Sequence, residues 1–251
     1  MTIVASRMLD DGVVCFVGIG IPSMAANLAR LTHAPNSVLI YESGTIGSKP
    51  DVLPLSIGDG ELAATADAVV PTPEIFTYWL QGGRVDVGFL GAAQVDRFAN
   101  LNSTVIGDYD APKVRLPGAG GAPEIAALAK RTLVIINHDK RKLIDRVDFV
   151  TSAGYLDGGD ARERAGISTG GIDAVITDLA ILKPEPVTRE LIVTHLHSGV
   201  SREQVTEATG WDIRFAEDLK VTLAPTGQEL DALHELIEQT AVAHAASGTA
   251  L

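Results

Sequence analysis

Short runs of apolar, β-branched residues alternate with segments of helical spacing along most of the chain, near 13–17, 38–41, 85–90, 133–136, 174–178 and 191–194. Runs this apolar need cover on both faces, and a parallel sheet crossed by helices provides it. The expectation is therefore an α/β fold, an open, mostly parallel sheet flanked by helices, with helices over 3–9, 23–30, 73–80 and 122–129. Two later helices carry start signals. Ser201-Arg202-Glu203-Gln204 places a hydroxyl three residues before an amide, the pattern of a capping box, and Thr226-Gly227-Gln228-Glu229 repeats it. Leu230, Leu233, Leu236 and Ile237 then fall on one face of the closing helix, and an Ala-, Ser- and Gly-rich tail after His244 is expected to fray.

Composition narrows the class. With 251 residues and 46% hydrophobic content, the chain can bury a full core as one large domain or two small ones. The apolar runs are too short for membrane spans, and a cytoplasmic protein is expected. A formal charge of −12 repels nucleic acid and anionic membrane, so an anionic substrate must be met by local donors. The single cysteine, Cys15, lies in an apolar run and is read as a buried, inert thiol. No metal ligand set stands out: His195 and His197 share a strand face without a third ligand, and a structural pair is the reading.

Chemistry concentrates at glycine-punctuated turns. Val38-Leu39-Ile40-Tyr41 reads as a buried strand that delivers Glu42 into the loop Glu42-Ser43-Gly44-Thr45-Ile46-Gly47. Ligands of α/β sheets sit beyond the carboxyl ends of strands, which makes Glu42 a candidate; a solvated loop glutamate has the same local sequence. Gly18-Ile19-Gly20-Ile21-Pro22-Ser23 is either a turn whose amides face an anion or a tight entry to a helix with Pro22 in its first turn. Gly118-Ala119-Gly120-Gly121 is either a row of backbone donors for a carbonyl oxygen or a flexible connector. Gln94 and Asn102, in a polar stretch otherwise explained by turn-making, are candidates for a substrate site. Asp157-Gly158-Gly159-Asp160 and 166–171 mark a long mobile segment.

These segments together resemble the β subunits of class I CoA-transferases over essentially the whole chain, so a single domain spanning 1–251 is expected. The resemblance rests on Val17-Gly18-Ile19-Gly20-Ile21-Pro22, Tyr41-Glu42-Ser43-Gly44, Gly91-Ala92-Ala93-Gln94-Val95-Asp96, 102–109 and Gly118-Ala119-Gly120-Gly121-Ala122, matched in order and spacing. It implies a three-layer fold and a reaction that moves CoA from succinyl-CoA to 3-oxoadipate in aromatic compound degradation, with a glutaconate-type transferase or a thioester or ring-opening hydrolase as alternatives. Many succinyl-CoA:3-oxoacid transferases carry Glu-Asn-Gly at the catalytic loop, whereas this chain has Glu42-Ser43-Gly44, as the glutaconate type does. The resemblance further implies that Glu42 is the nucleophile and that Gly118, Gly120 and Gly121, with Gly18 and Gly20, supply oxyanion or CoA contacts. It implies a homologous α subunit as partner and a CoA thioester as substrate and covalent intermediate, with no permanently bound cofactor or metal.

Overall fold

The computed structural model describes residues 1–246, which form two compact units, 1–87 with 224–246 and 88–223. The expected frayed tail falls mainly on 247–251, outside the described residues.

In the first unit, β1 (Val14–Phe16) and β2 (Val38–Ile40) run parallel with Cys15 opposite Leu39 and Phe16 opposite Ile40. The crossover between them is α2 (Ile21–Leu31), which follows the short α1 (Thr2–Ser6) in the chain. Pro22 sits in the first turn of α2, where its missing N–H costs no hydrogen bond. Ala25, Ala26, Leu28 and Ala29 are buried, so the helix presents small side chains to its neighbours. The helix stops where the Thr32 hydroxyl donates to the Leu28 carbonyl, a local bond that competes with further turns. Antiparallel β3 (Thr45–Ile46) and β4 (Ala68–Val69) extend the sheet in the order β1-β2-β3-β4, with α3 (Gly60–Ala64) between the last two. The expected helix over 73–80 is a short turn, α4 (Thr72–Glu74), continued as π-helix through Ile75–Leu80, and its Phe76 ring meets Phe16 at 5.8 Å between centroids.

The C-terminal helix Gly227–Ala246 belongs to this unit and opens as expected: the Thr226 hydroxyl accepts from the Glu229 amide, and the Glu229 carboxylate accepts from the Thr226 amide. Its buried face differs from the expectation. Leu236 is buried, but Leu230 and Ile237 are exposed, and Glu229, Thr240 and His244 take the remaining buried positions. Polar anchors set this rotation: Glu229 receives two 2.6 Å bonds from the Arg7 guanidinium, and the Thr240 hydroxyl accepts from the Leu53 amide.

The second unit has β5 (Val87–Leu90) at one side of the order β5-β10-β12-β13-β14-β15, comprising β10 (Arg131–Ile135), β12 (Ile172–Ile176), β13 (Ala180–Pro184), β14 (Leu191–Leu196) and β15 (Arg214–Val221). β10 and β12 are parallel, as are β14 and β15, whereas β12-β13-β14 is an antiparallel meander. The sheet is thus mixed within an α/β fold. Helix α5 (Ala122–Leu128) leads into β10 and packs Ile125 and Ala129 over Gly88, where a side chain would collide with Ile125. Smaller pairings join β6 (Gln94–Asp96) to β7 (Leu101–Asn102) and β11 (Leu143–Ile144), and β8 (Val105–Gly107) to β9 (Pro112–Arg115). Two short helices complete the unit, α6 (Ala161–Arg164) and α7 (Arg202–Glu207), the latter opened by the full Ser201/Gln204 capping box.

The segment expected to be mobile is pinned by α6. Arg162 is buried and its guanidinium donates to the carbonyls of Ala126, Ala153, Gly154 and Thr169, tying three stretches of chain together. Among the described residues, no helix is long and apolar enough to cross a membrane.

Candidate active site

Glu42 leaves β2 at its carboxyl end, as expected, but into a tight hairpin and not an open loop. The Gly44 amide donates to the Tyr41 carbonyl at 3.0 Å and the Tyr41 amide to the Thr45 carbonyl at 3.1 Å, so Glu42 and Ser43 are the first two residues of a three-residue hairpin loop that Gly44 completes. Such loops need a positive φ at the third residue, and Gly44 has φ +109°. A Cβ there would also run into the Val70 carbonyl, whose carbon lies 3.1 Å away, because β4 packs against the turn through the Val70 amide to Gly44 carbonyl bond. Glu42 is half-buried and its carboxylate makes no hydrogen bond or ion pair with any described residue. The adjacent Ser43 Oγ and Thr45 Oγ1 are buried and likewise have no partner among the described residues.

The turn after β1 stands at the same sheet edge. The Val17 amide bonds the Ile40 carbonyl at 2.8 Å, so Gly18-Ile19-Gly20 and Tyr41-Glu42 leave adjacent parallel strands in the same direction. Gly20 has φ +78° and caps α2 with its N–H directed to no acceptor among the described residues; open space surrounds the place its side chain would occupy. Tyr41 fastens the two turns together. Its ring is fully buried and its hydroxyl lies 3.2 Å from Ser23 Oγ in the first turn of α2, where Asn27 Nδ2 donates to the Ser23 carbonyl. Burial pushes the Tyr41 phenol up to about 12, so it stays neutral and acts as a hydrogen-bonding strut. Sequence reading missed this role because the partner lies 18 residues away.

In the second unit, the glycine turn before α5 separates its members. Gly118 donates its amide to the Ser103 carbonyl, and its own carbonyl accepts from Ser103 Oγ, both at 2.8 Å. That amide already has its acceptor, whereas Gly120 and Gly121 keep N–H groups with no acceptor among the described residues. Gln94 and Asn102 are brought together, with each amide committed internally. Asn102 Nδ2 donates to Gln94 Oε1 at 2.7 Å and to the Val105 carbonyl at 2.6 Å, while its Oδ1 accepts from Thr104 and Val105 amides. Gln94 Nε2 reaches Asp148, which also accepts from the Gly107 amide. Asn102 is fully buried, and the pair is tied into the turn by Asp148, which lies 54 residues from Gln94. His197 is also committed, to the Thr177 carbonyl and Thr222 hydroxyl, and His195 faces the Thr194 hydroxyl. Cys15 is buried, as expected. Among the described residues, no group of three or more His, Cys, Asp or Glu is arranged to hold a metal ion.

Comparison with known proteins places this geometry in a family. Over 248 residues the chain is 64% identical to the B-type subunit of 3-oxoadipate CoA-transferase from Pseudomonas knackmussii, covering 99% of this chain and 95% of that one. It is 34% identical to the corresponding subunit of glutaconate CoA-transferase from Acidaminococcus fermentans, covering 93% and 89%. The crystal structure of glutaconate coenzyme A-transferase from the same organism superposes with a TM-score of 0.87 at 32% identity, over 93% of this chain and 91% of that one. The model of the family described as Coenzyme A transferase matches residues 1–208, and the chain belongs to that family.

Proposed function

We propose that this chain is the β subunit of a transferase that moves CoA from succinyl-CoA to 3-oxoadipate in the cytoplasm, and that Glu42 carries the CoA between them. The observation that carries the reading is an uncommitted, half-buried carboxylate at the carboxyl end of β2, beside a glycine turn leaving the parallel neighbour β1. The acceptor acid is taken from the relative that shares 64% of its residues, and the succinyl-CoA donor from the resemblance of the motifs to this type of transferase. Because that relative is one subunit of its enzyme, a homologous α subunit is the proposed partner. Residues 1–251 then act as one functional domain.

The chemistry suits a carboxylate that is held in place without being neutralised. One Glu42 oxygen attacks the thioester carbonyl, the C–S bond breaks, and an acyl-glutamyl anhydride and CoA thiolate result. The thiolate attacks the glutamyl carbonyl, expelling succinate and leaving a glutamyl-CoA thioester. 3-Oxoadipate reverses both steps and departs as its CoA ester. No proton need be moved, so the absence of a hydrogen-bonded base beside Glu42 is no obstacle. Each addition builds charge on a carbonyl oxygen, and the amide at Gly20 is the proposed donor in Glu42's own unit. Gly18 lets the chain pass close to the acyl group, and the open amides of Gly120 and Gly121 are proposed as CoA-thioester contacts in theirs.

Incubating the assembled enzyme with succinyl-CoA, trapping with hydroxylamine or borohydride and mapping the modified peptide tests this directly. Label is expected on Glu42, with CoA appearing on 3-oxoadipate only when that acid is supplied. Release of succinate without an acceptor and without label, or transfer that survives Glu42→Ala, contradicts the proposal.

A further inference from the structure

Glu42 is not alone in its hairpin in lacking a partner. Thr45 is 3% exposed and Ser43 is half-buried, and both hydroxyl oxygens are closed off from solvent with no hydrogen-bond partner among the described residues. A hydroxyl in that state has given up its water without recovering a bond, which costs stability, and native folds keep few of them. Ser6, Ser37 and Ser152 share the defect, but each stands singly in the chain. Ser43 and Thr45 instead bracket the glycine that completes the loop around Glu42.

The backbone fixes where these hydroxyls stand. The Tyr41 amide bonds the Thr45 carbonyl and Ile40 pairs with Ile46, so Thr45 stands opposite Tyr41 across the hairpin. Residues opposed in this way share a face. On that face the Tyr41 hydroxyl meets Ser23 Oγ in the first turn of α2, so those two groups are engaged with each other and Thr45 Oγ1 is left over. Thr45 is also held from its other side, where it pairs with Val69 of β4, and the Gly44 carbonyl accepts from the Val70 amide at 2.9 Å. A donor fixed so firmly needs no reorganisation when charge appears in front of it.

We propose that Thr45 Oγ1 and Ser43 Oγ donate to the carbonyl oxygen of Glu42 itself while that residue carries an acyl group or CoA; this rests on Glu42 as the nucleophile. Two carbonyl carbons are attacked in the cycle, the substrate's and that of Glu42, and only the second never leaves the hairpin. When the CoA thiolate adds to it, the C–S bond forms, the carbonyl electron pair moves onto oxygen, and it returns as the bond to succinate breaks and succinate leaves with its electrons. In the other direction a carboxylate adds to the same carbon and CoA thiolate departs. Charge therefore builds on this oxygen in every step at Glu42, beside hydroxyls that the resting fold leaves unsatisfied.

The test follows the decay of the glutamyl-CoA adduct, formed on the assembled enzyme with succinyl-CoA, freed of excess donor and then mixed with succinate, which attacks this carbonyl directly. Thr45→Val, which removes the hydroxyl and keeps the shape, should slow that decay by about tenfold or more and raise the urea midpoint, because an unsatisfied group has been removed. Thr45→Ser should do the reverse, keeping the decay rate and lowering the midpoint through loss of a buried methyl. Ser43→Ala should slow the decay without lowering the midpoint, and it carries the test if Thr45→Val does not fold. Ser37→Ala removes a buried, partnerless hydroxyl just before the other end of β2 and should leave the decay unchanged. A purely structural hydroxyl would move stability and rate together. Decay at the wild-type rate in both Thr45→Val and Ser43→Ala, or a fall in the midpoint of Thr45→Val, overturns this proposal while leaving Glu42 as the carrier. A wild-type enzyme that forms no adduct on Glu42 overturns both.

Discussion

Replacing Gly44 by alanine separates two costs that the hairpin imposes together. The first is conformational: at φ +109° an L-residue is disfavoured by about 1–2 kcal/mol. The second is steric and local to this turn, because the new methyl meets the Val70 carbonyl, main chain that cannot rotate away and is held by its own bond to Gly44. Overpacking of this kind costs about 1–3 kcal/mol, which brings the total to about 2–5 kcal/mol. Gly20 provides the matched control. Its φ is also positive, at +78°, but nothing lies within 4 Å of the added carbon, so Gly20→Ala should lose only the conformational part, about 1–2 kcal/mol. Urea unfolding followed by far-ultraviolet circular dichroism measures both variants against the parent, and the midpoint of Gly44→Ala should fall further at unchanged m-value. Movement of β4 away from the turn should also displace Glu42, so transfer by the Gly44→Ala protein that remains folded is expected to drop at least tenfold. Equal destabilisation by the two substitutions would show that the Val70 contact is relieved cheaply and that the hairpin is not held as described.

Three further outcomes follow from buried polar groups. Burial pushes His138, bonded between the Thr177 and Thr209 hydroxyls, down to about 4 from 6.5; the folded protein therefore binds that proton more weakly than the unfolded chain, and up to about 3 kcal/mol of stability present above pH 6.5 is lost as pH falls from 6.5 to 4. Unfolding curves over that range should be flatter for His138→Gln, and an unchanged slope refutes the assignment. Hydrogen bonding from Arg7 holds Glu229 down at about 2 from its ordinary 4.5, so the Arg7→Ala penalty, about 1–2 kcal/mol at pH 7 for a partly exposed pair, should shrink as pH falls from 4.5 toward 2 and should not change between pH 6 and 8. Tyr41→Phe removes the strut between the two turns and should cost about 1 kcal/mol in urea unfolding, with a larger relative loss in transfer than in stability; wild-type turnover would exclude Tyr41 from positioning Glu42.

What could be read from the sequence was whatever local chemistry decides. β1, β2 and α2 lie within two residues of where apolar spacing and Pro22 put them, and both helix starts with a hydroxyl three residues before an acceptor fold as capping boxes. Glycine spacing also pointed to Glu42 as a side chain leaving a strand end. What could not be read depended on a distant partner. The hairpin at Glu42 needs Val70, the residue after β4, the rotation of the C-terminal helix is set by Arg7 and Leu53, and Arg162 holds a segment whose composition suggests mobility. The same distinction sorts the glycines of the candidate site. Gly18, Gly20, Gly118, Gly120 and Gly121 are equivalent as letters, but the use of a backbone amide depends on what stands opposite it, and Ser103 stands opposite only Gly118. A glycine-rich turn therefore identifies where main chain can come close to a ligand, whereas the donors still available there are set by the packing of residues that need carry no motif at all.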